Sequence, residues 1–288
     1  MTATRILTAA VLIPAVVAAV IWADTWVIAG IVAAVVTICL YEFFRLSAAA
    51  GTPGHPRWTT ICAMLLVALQ CLEARAQGGW TSSEVGVLYA MQRIPLPPDF
   101  ALVVFLLGIS ALTIVGRAPL REALPRMAID CAAMMLVAFP LSFVVHLHAL
   151  PELGPRLLLL LLVMLWVGDT LAYFVGRALG RHKLAPEISP GKTWEGAAAN
   201  LLGAILVGFA VVQWFPFSRF HLLLLLALGN VAGQLGDLTE SAYKRSAGAK
   251  DSGTLLPGHG GMLDRVDSLI FAAPVVWYYF RMLMTVFS

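Results

Sequence analysis

Apolar runs about as long as a bilayer is thick recur along almost the whole chain, and nothing constrains its fold more. A helix crossing a ~30 Å hydrocarbon core needs about 20 mostly apolar residues. Nine stretches are candidates, at roughly 5–23, 26–46, 58–72, 100–116, 129–149, 157–176, 195–215, 220–242 and 268–287, the third and fourth being short. Hydrophobic residues make up 60% of the 288 positions and charged ones 12%, where a soluble domain carries about 25% charge. Such a chain cannot cover a water-facing surface. Disorder, a disulfide scaffold and a nucleic-acid-binding domain are excluded with it. The expected fold class is an all-α integral membrane protein with about nine transmembrane helices. Glu73 to Asp99, with Gly78-Gly79, Pro95, Pro97 and Pro98, reads as a loop. Arg5 before the first run resembles a signal-peptide start, but the second run follows after only Asp24 and Thr25. An uncleaved first helix is expected.

The few cations take sides. Of 19 Lys and Arg residues, Arg75, Arg93, Arg156 and Arg219 fall in loops on one side and Arg281 inside the last run. The other fourteen lie at the N-terminus or in the loops after even-numbered runs, which predicts a cytoplasmic N-terminus. The two most polar loops, 177–194 and 243–267, then also face the cytoplasm. Cys39, Cys62, Cys71 and Cys131 lie in or beside apolar runs without CxxC spacing and read as small core residues. His146 and His148, with no ligand-type neighbours in sequence, read as interfacial.

Charge inside a bilayer is costly and marks candidate function. The eighth run carries Asn230, Gln234, Asp237, Ser241 and Lys244, spaced four, three, four and three, so all five share one helical face. Hydrogen-bonding between helices is the plainer reading of such a stripe, but Asp and Lys cost far more than Asn or Ser. Glu240 lies one step round from Asp237. The segment KRSAGAKDSGTLLPGHGGMLDRVD, 244–267, offers Lys244, Arg245 and Lys250 as phosphate-binding cations. Its Gly258, Gly260 and Gly261 flank His259, letting backbone approach a ligand. Asp264 and Asp267, at i and i+3, join Asp237 in a hard-oxygen set suited to Mg²⁺. Cations, glycines and carboxylates together fit phosphoryl or nucleotidyl transfer.

A second constellation runs from Trp166 to Glu195. Asp169 precedes Tyr173, Gly176, Arg177 and Gly180, and SPGKTWEG spans Ser189 to Gly196. Gly191-Lys192-Thr193 ends like a Walker A loop, but Pro186 stands where that motif requires glycine. What remains is Lys192 in a Pro-Gly turn at a helix start with Glu195 just inside it, able to meet a phosphate.

Residues 241–267 resemble the signature of phosphatidate cytidylyltransferases (CDP-diacylglycerol synthases): a Ser, then Lys-Arg, Lys-Asp, His-Gly-Gly and Asp-Arg-x-Asp at fixed spacing. Trp166-x-x-Asp169-Thr170, Gly176-Arg177 and Ser189-Pro190-x-Lys192-Thr193 are similar to the family's upstream motifs. The resemblance covers the C-terminal 120 or so residues. Tyr243 departs from it, where the family usually carries an aliphatic residue or Phe. The resemblance implies that CTP and phosphatidate give CDP-diacylglycerol and pyrophosphate, with Mg²⁺, alone or with a second cation, in a dimeric protein of the bacterial inner membrane whose active site faces the cytoplasm. Asp237 and Asp264 resemble its metal-binding carboxylates, with Asp267 a third, and Lys244 belongs to the catalytic set. Asp169, Ser189, Lys192, Glu195, Ser241, Arg245, Lys250, Asp251, His259 and Arg265 are expected to bind substrate. Residues 1–150 are expected to form N-terminal transmembrane helices, and 151–288 a catalytic region carrying the signature loop 243–267. Two rivals remain. A CTP-dependent polyprenol kinase would transfer the γ-phosphate and release CDP. A secondary transporter would carry a proton or cation on Asp169 and Asp237, although the glycine- and cation-rich loop argues against it.

Overall fold

The computed structural model describes residues 2–78, 96–116, 118–255 and 260–287. Most of the loop expected between Glu73 and Asp99 lies outside the described residues, as do Gly258 and His259. The chain divides into two compact units, Thr2–Arg156 and Leu157–Ser288.

The first unit holds α1 (Thr2–Trp22), α2 (Thr25–Ala49), α3 (Pro56–Gly78), α4 (Asp99–Val115), α5 (Ala123–Ala133) and α6 (Phe139–His148). Asp24 caps α2 by accepting the Trp26 N–H at 2.9 Å, and it also pairs with Arg75 at 2.7 Å. Pro56 opens α3, where a missing N–H costs nothing. Between α5 and α6, Met134–Ala138 form a π-turn in which Phe139 N–H reaches back to Met134 O. The next residue is Pro140, whose ring would clash with the carbonyl four residues back in a regular helix; the widened turn relieves it. One continuous span thus runs from Leu120 to His148. His146 and His148 are buried among the helices rather than interfacial. The His146 ring bonds to Gln70, and the His148 ring to Thr25 Oγ1 (3.1 Å) and Val20 O (3.2 Å). Buried imidazoles need such partners, and these come from residues distant in sequence. The four cysteines are free, three of them fully buried.

The second unit holds α7 (Gly154–Leu179), strands β1 (Lys183–Ala185) and β2 (Ser189–Thr193), α8 (Trp194–Val211), α9 (Arg219–Ser246) and α10 (Leu263–Phe287). The fold is mostly helical, as expected, and its antiparallel β1–β2 hairpin, with Lys183 opposite Thr193 and Ala185 opposite Ser189, is a small addition that the sequence reading does not include. A two-stranded ribbon has only edges, so Pro190 fits in β2 without breaking a central ladder. Thr193 then caps α8, its hydroxyl accepting the Gly196 N–H at 3.1 Å. The eighth run ends later than its apolar pattern predicts. Lys244 and Arg245 belong to the last turn of α9, where cations suit the helix dipole, so the signature loop begins at Ala247.

Among the described residues, seven helices are long and apolar enough to cross a membrane, and two shorter apolar helices, Ala10–Trp22 and Asp99–Val115, coincide with the first and fourth predicted runs. By length and composition, seven of the nine predicted runs are thus long enough to span among the described residues. The third run, read as short, is a full-length helix because its polar end, with Glu73 and Arg75, is still helical.

Candidate active site

A cavity of about 720 Å³ opens between α7, the hairpin, α8 and α9. The seventh helix contributes Asp169, Tyr173, Gly176 and Arg177 along one face, at spacings that recur every turn. The hairpin brings Lys183, Ser189 and Lys192, while α8 brings Asn200 and α9 brings Gln234 and Asp237. Lys192 Nζ lies 2.6 Å from Asp237 Oδ2, with both side chains partly exposed. Asp169 is exposed on the cavity wall and accepts from Asn200 Nδ2 at 3.1 Å. Arg177 donates to the Tyr173 hydroxyl at 2.9 Å.

The hairpin is held at both ends. At its base Glu195 takes His182 Nδ1 at 2.7 Å, and Trp194 N–H donates to His182 O at 3.0 Å. At its tip Arg245 Nε donates to Ile188 O at 3.1 Å, and Arg245 Nη1 to Ala249 O at 3.2 Å. Glu195 and Arg245, both expected to bind substrate, thus anchor the element that carries Lys192, and neither lines the cavity.

A second polar cluster closes the signature loop. Lys244 Nζ sits 2.5 Å from Glu240 Oε2 and 2.6 Å from Asp264 Oδ1, with all three side chains largely buried. The other Asp264 oxygen accepts from Ser252 N (2.9 Å), Ser252 Oγ (2.9 Å) and Gly261 N (2.8 Å). Gly260 beside it has φ +80°, and a side chain there would also run into Asp264 Oδ2. Between the clusters, Gly229, Gly233 and Gly236 let α10 pack close against α9; any side chain at Gly236 would collide with the Asp267 carbonyl. This approach brings the Asp267 carboxylate within electrostatic reach of Asp237, Glu240 and Asp169. Ser241 is buried on α9 between the clusters, while Lys250, Asp251 and Arg265 are exposed on the loop and the first turn of α10.

Among the described residues no three of His, Cys, Asp or Glu form a preassembled metal cage. Asp237 and Asp267, with Asp169 within electrostatic reach, are carboxylates here that could hold a hard cation such as Mg²⁺. Asp264 could join only by giving up a bond to Lys244, Ser252 or Gly261.

Residues 3–283 match the sequence profile of the cytidylyltransferase family. The chain belongs to that family. A phosphatidate cytidylyltransferase of Haemophilus influenzae is 45% identical over 139 residues, covering 45% of this chain and 47% of the relative. One from Bacillus subtilis is 41% identical over 148 residues, 51% of this chain and 55% of the relative. One from Synechocystis is 44% identical over 138 residues, 47% and 46% of the two chains. The chain spans about half the length of the curated relatives it matches.

Within this member of the family, sequence reasoning overlooked three participants. Asn200 was one buried amide in an otherwise apolar run, a signal as strong as Asn230 but without companions at helical spacing in α8. His182 has meaning only once the hairpin folds it onto Glu195. Ser252 sits in a glycine-rich loop whose path the sequence pattern does not reveal. Thr170, in the upstream motif, spends its hydroxyl on Trp166 O at 2.7 Å within its own helix.

Proposed function

We propose that this protein is a phosphatidate cytidylyltransferase, condensing CTP with phosphatidate to CDP-diacylglycerol and pyrophosphate. The observation that carries this reading is the single cavity that gathers Asp169, Ser189, Lys192 and Asp237 from separate motifs. An oxygen of the phosphatidate phosphate attacks the α-phosphorus of CTP, the bond from that phosphorus to the bridging α,β-oxygen breaks, and pyrophosphate leaves. No base is needed, because a phosphate monoester is already anionic near neutral pH. Lys192 offsets charge on the phosphates from the cavity side, with Arg177 and Lys183 beside it. Mg²⁺ held by Asp237 and Asp267 would supply further charge compensation and alignment of the phosphates. Lys244 and Asp264 act one step back, fixing the loop and the start of α10. In this reading Lys250, Asp251 and Arg265, exposed on the loop and the first turn of α10, meet substrate, and Ser241 serves the site from α9. His259, outside the described residues, is assigned by its motif alone to a phosphate or backbone contact in the bound state.

The same proposal has α1 and α4 crossing the bilayer as well, giving nine spans with a cytoplasmic N-terminus. The cavity then faces the cytoplasmic side of a bacterial inner membrane, where an acyl-anchored phosphate meets a soluble nucleotide, in a homodimer. Apolar side chains such as Phe174, Leu202, Phe209 and Leu235 are exposed on α7, α8 and α9, as a lipid-facing surface requires.

The test is an assay of purified protein with phosphatidate, Mg²⁺ and CTP labelled at the α- or the γ-phosphate. Label from the α-position should enter lipid, and γ-label should appear in pyrophosphate. Transfer of γ-label to lipid with release of CDP would make the protein a kinase instead. Asp264→Asn weakens the bonds that close the loop, so the unfolding midpoint and turnover should fall together while the protein still inserts. Near-native stability and turnover in that variant would remove Asp264 from the brace.

A further inference from the structure

Beneath the cavity three side-chain amides form a chain with one polarity. Gln234 Nε2 donates to Ala197 O at 3.3 Å and to Asn230 Oδ1 at 2.8 Å. Asn230 Nδ2 donates to Asn200 Oδ1 at 2.7 Å, and Asn200 Nδ2 donates to Asp169 Oδ1 at 3.1 Å. Which end of an amide is nitrogen follows from its network, and here the network allows one answer. A backbone carbonyl only accepts, so Gln234 must turn its nitrogen toward Ala197. Each later amide then accepts from the one before and donates to the next, ending with an N–H aimed at the carboxylate. Asn230 and Asn200 are buried, with 1% and 7% of their surface exposed, so water cannot substitute for a broken link. Gly168 leaves the room: a side chain there would collide with Asn200 Oδ1 and crowd Asn230 Nδ2.

The geometry points to Asn200 and Asn230 as positioning residues for Asp169. Asn200 holds one carboxylate oxygen, Asn230 fixes which end of the Asn200 amide does so, and Asp169 itself lines the cavity. Asp237, by contrast, is engaged by Lys192. Asp169 is therefore the cavity carboxylate held in place by a neutral donor, which leaves its charge available to a bound ligand. The part concerning CTP rests on the proposed function; the part concerning the hydrogen-bond chain does not.

The experiment is a double-mutant cycle on the full-length protein in nanodiscs, with Asn200→Leu, Asp169→Ala and the pair, read by thermal unfolding and by equilibrium CTP binding. In otherwise native protein Asn200→Leu should weaken CTP binding about tenfold, the worth of one hydrogen bond to a charged group. In the Asp169→Ala background the same change should alter binding less than about twofold. Turnover at saturating CTP should fall less than the apparent affinity, a split that general loosening of the fold would not give. Asn230→Leu, which leaves Asn200 in place, should move binding in the same direction by a smaller factor, and it serves if Asn200→Leu fails to fold. Equal losses in both backgrounds, in binding and in unfolding, overturn the inference. If native protein binds no CTP, the proposed function fails, and non-additivity in unfolding alone still decides whether Asn200 holds Asp169.

Discussion

One face of α9 serves two polar clusters built from the same chemistry, a lysine against carboxylates, and they differ in how completely that chemistry is used up. In the cavity Lys192 and Asp237 form a single pair at 2.6 Å, with 25% and 31% of their side-chain surface exposed. In the loop cluster Lys244 lies between Glu240 and Asp264, at 13%, 3% and 6% exposed, and Asp264 accepts from three further donors. An ion pair with spare capacity and access to water can exchange its partner for a ligand. One whose lysine lies buried between two carboxylates cannot do so without leaving a charge stranded. The first arrangement is open to a ligand, and the second is a clamp.

Breaking the clamp should produce the largest effect on stability. Lys244→Met leaves Glu240 and Asp264 buried without a counter-charge, which costs about 3–5 kcal/mol for a buried pair. The unfolding midpoint in detergent should fall sharply, and protease should cut within 247–262 much faster than in native protein. Adding Glu240→Gln should recover part of the loss, because one stranded charge is then gone. A Lys244→Met protein as stable as the native one would reduce the clamp to a surface contact. Lys192→Met should show the opposite profile. Partly exposed pairs contribute about 0–1 kcal/mol, so the midpoint should barely move, while turnover falls about 10²-fold through loss of charge stabilisation at the phosphates. A large loss of stability with a modest loss of turnover would make the cavity pair a second clamp.

The sequence carried most of what defines the helices and little of what joins them. Apolar runs located every long helix among the described residues because burial in lipid leaves a signature at each position, and the spacing of Asn230, Gln234 and Asp237 located the polar face of α9 that meets the cavity. Sequence spacing cannot tell a ligand from a brace. Lys244, Arg245, Glu195 and Lys192 all read as phosphate-seeking or acid–base groups, yet three of the four hold the hairpin or the loop. Which is which depends on long-range partners, His182 for Glu195, Ile188 for Arg245, and Asp264 for Lys244. The hairpin escaped notice because β1 is three residues long and carries no alternation to detect. The glycine seam on α9 was visible as Gly229, Gly233 and Gly236, but its consequence, the Asp267 backbone packed against Gly236, needs the partner helix.

The smallest expected effect sharpens the comparison most, because Arg245 joins the two clusters. It leaves the end of α9 and donates to Ile188 O in the hairpin that carries Lys192, and to Ala249 O in the loop that Asp264 closes. Its side chain is exposed, so water can replace both bonds, and Arg245→Ala should cost at most about 1 kcal/mol of stability. If Arg245 serves the site by holding the hairpin, the variant should raise the apparent KM for CTP by about threefold, less than 1 kcal/mol in binding. Turnover at saturation should stay near native, since Lys192 still reaches Asp237. Arg245→Lys should not rescue, because an ammonium lacks the fork that spans two carbonyls. A drop in saturated turnover matching that of Lys192→Met would place the Arg245 guanidinium on the phosphates and move it from the scaffold into the site.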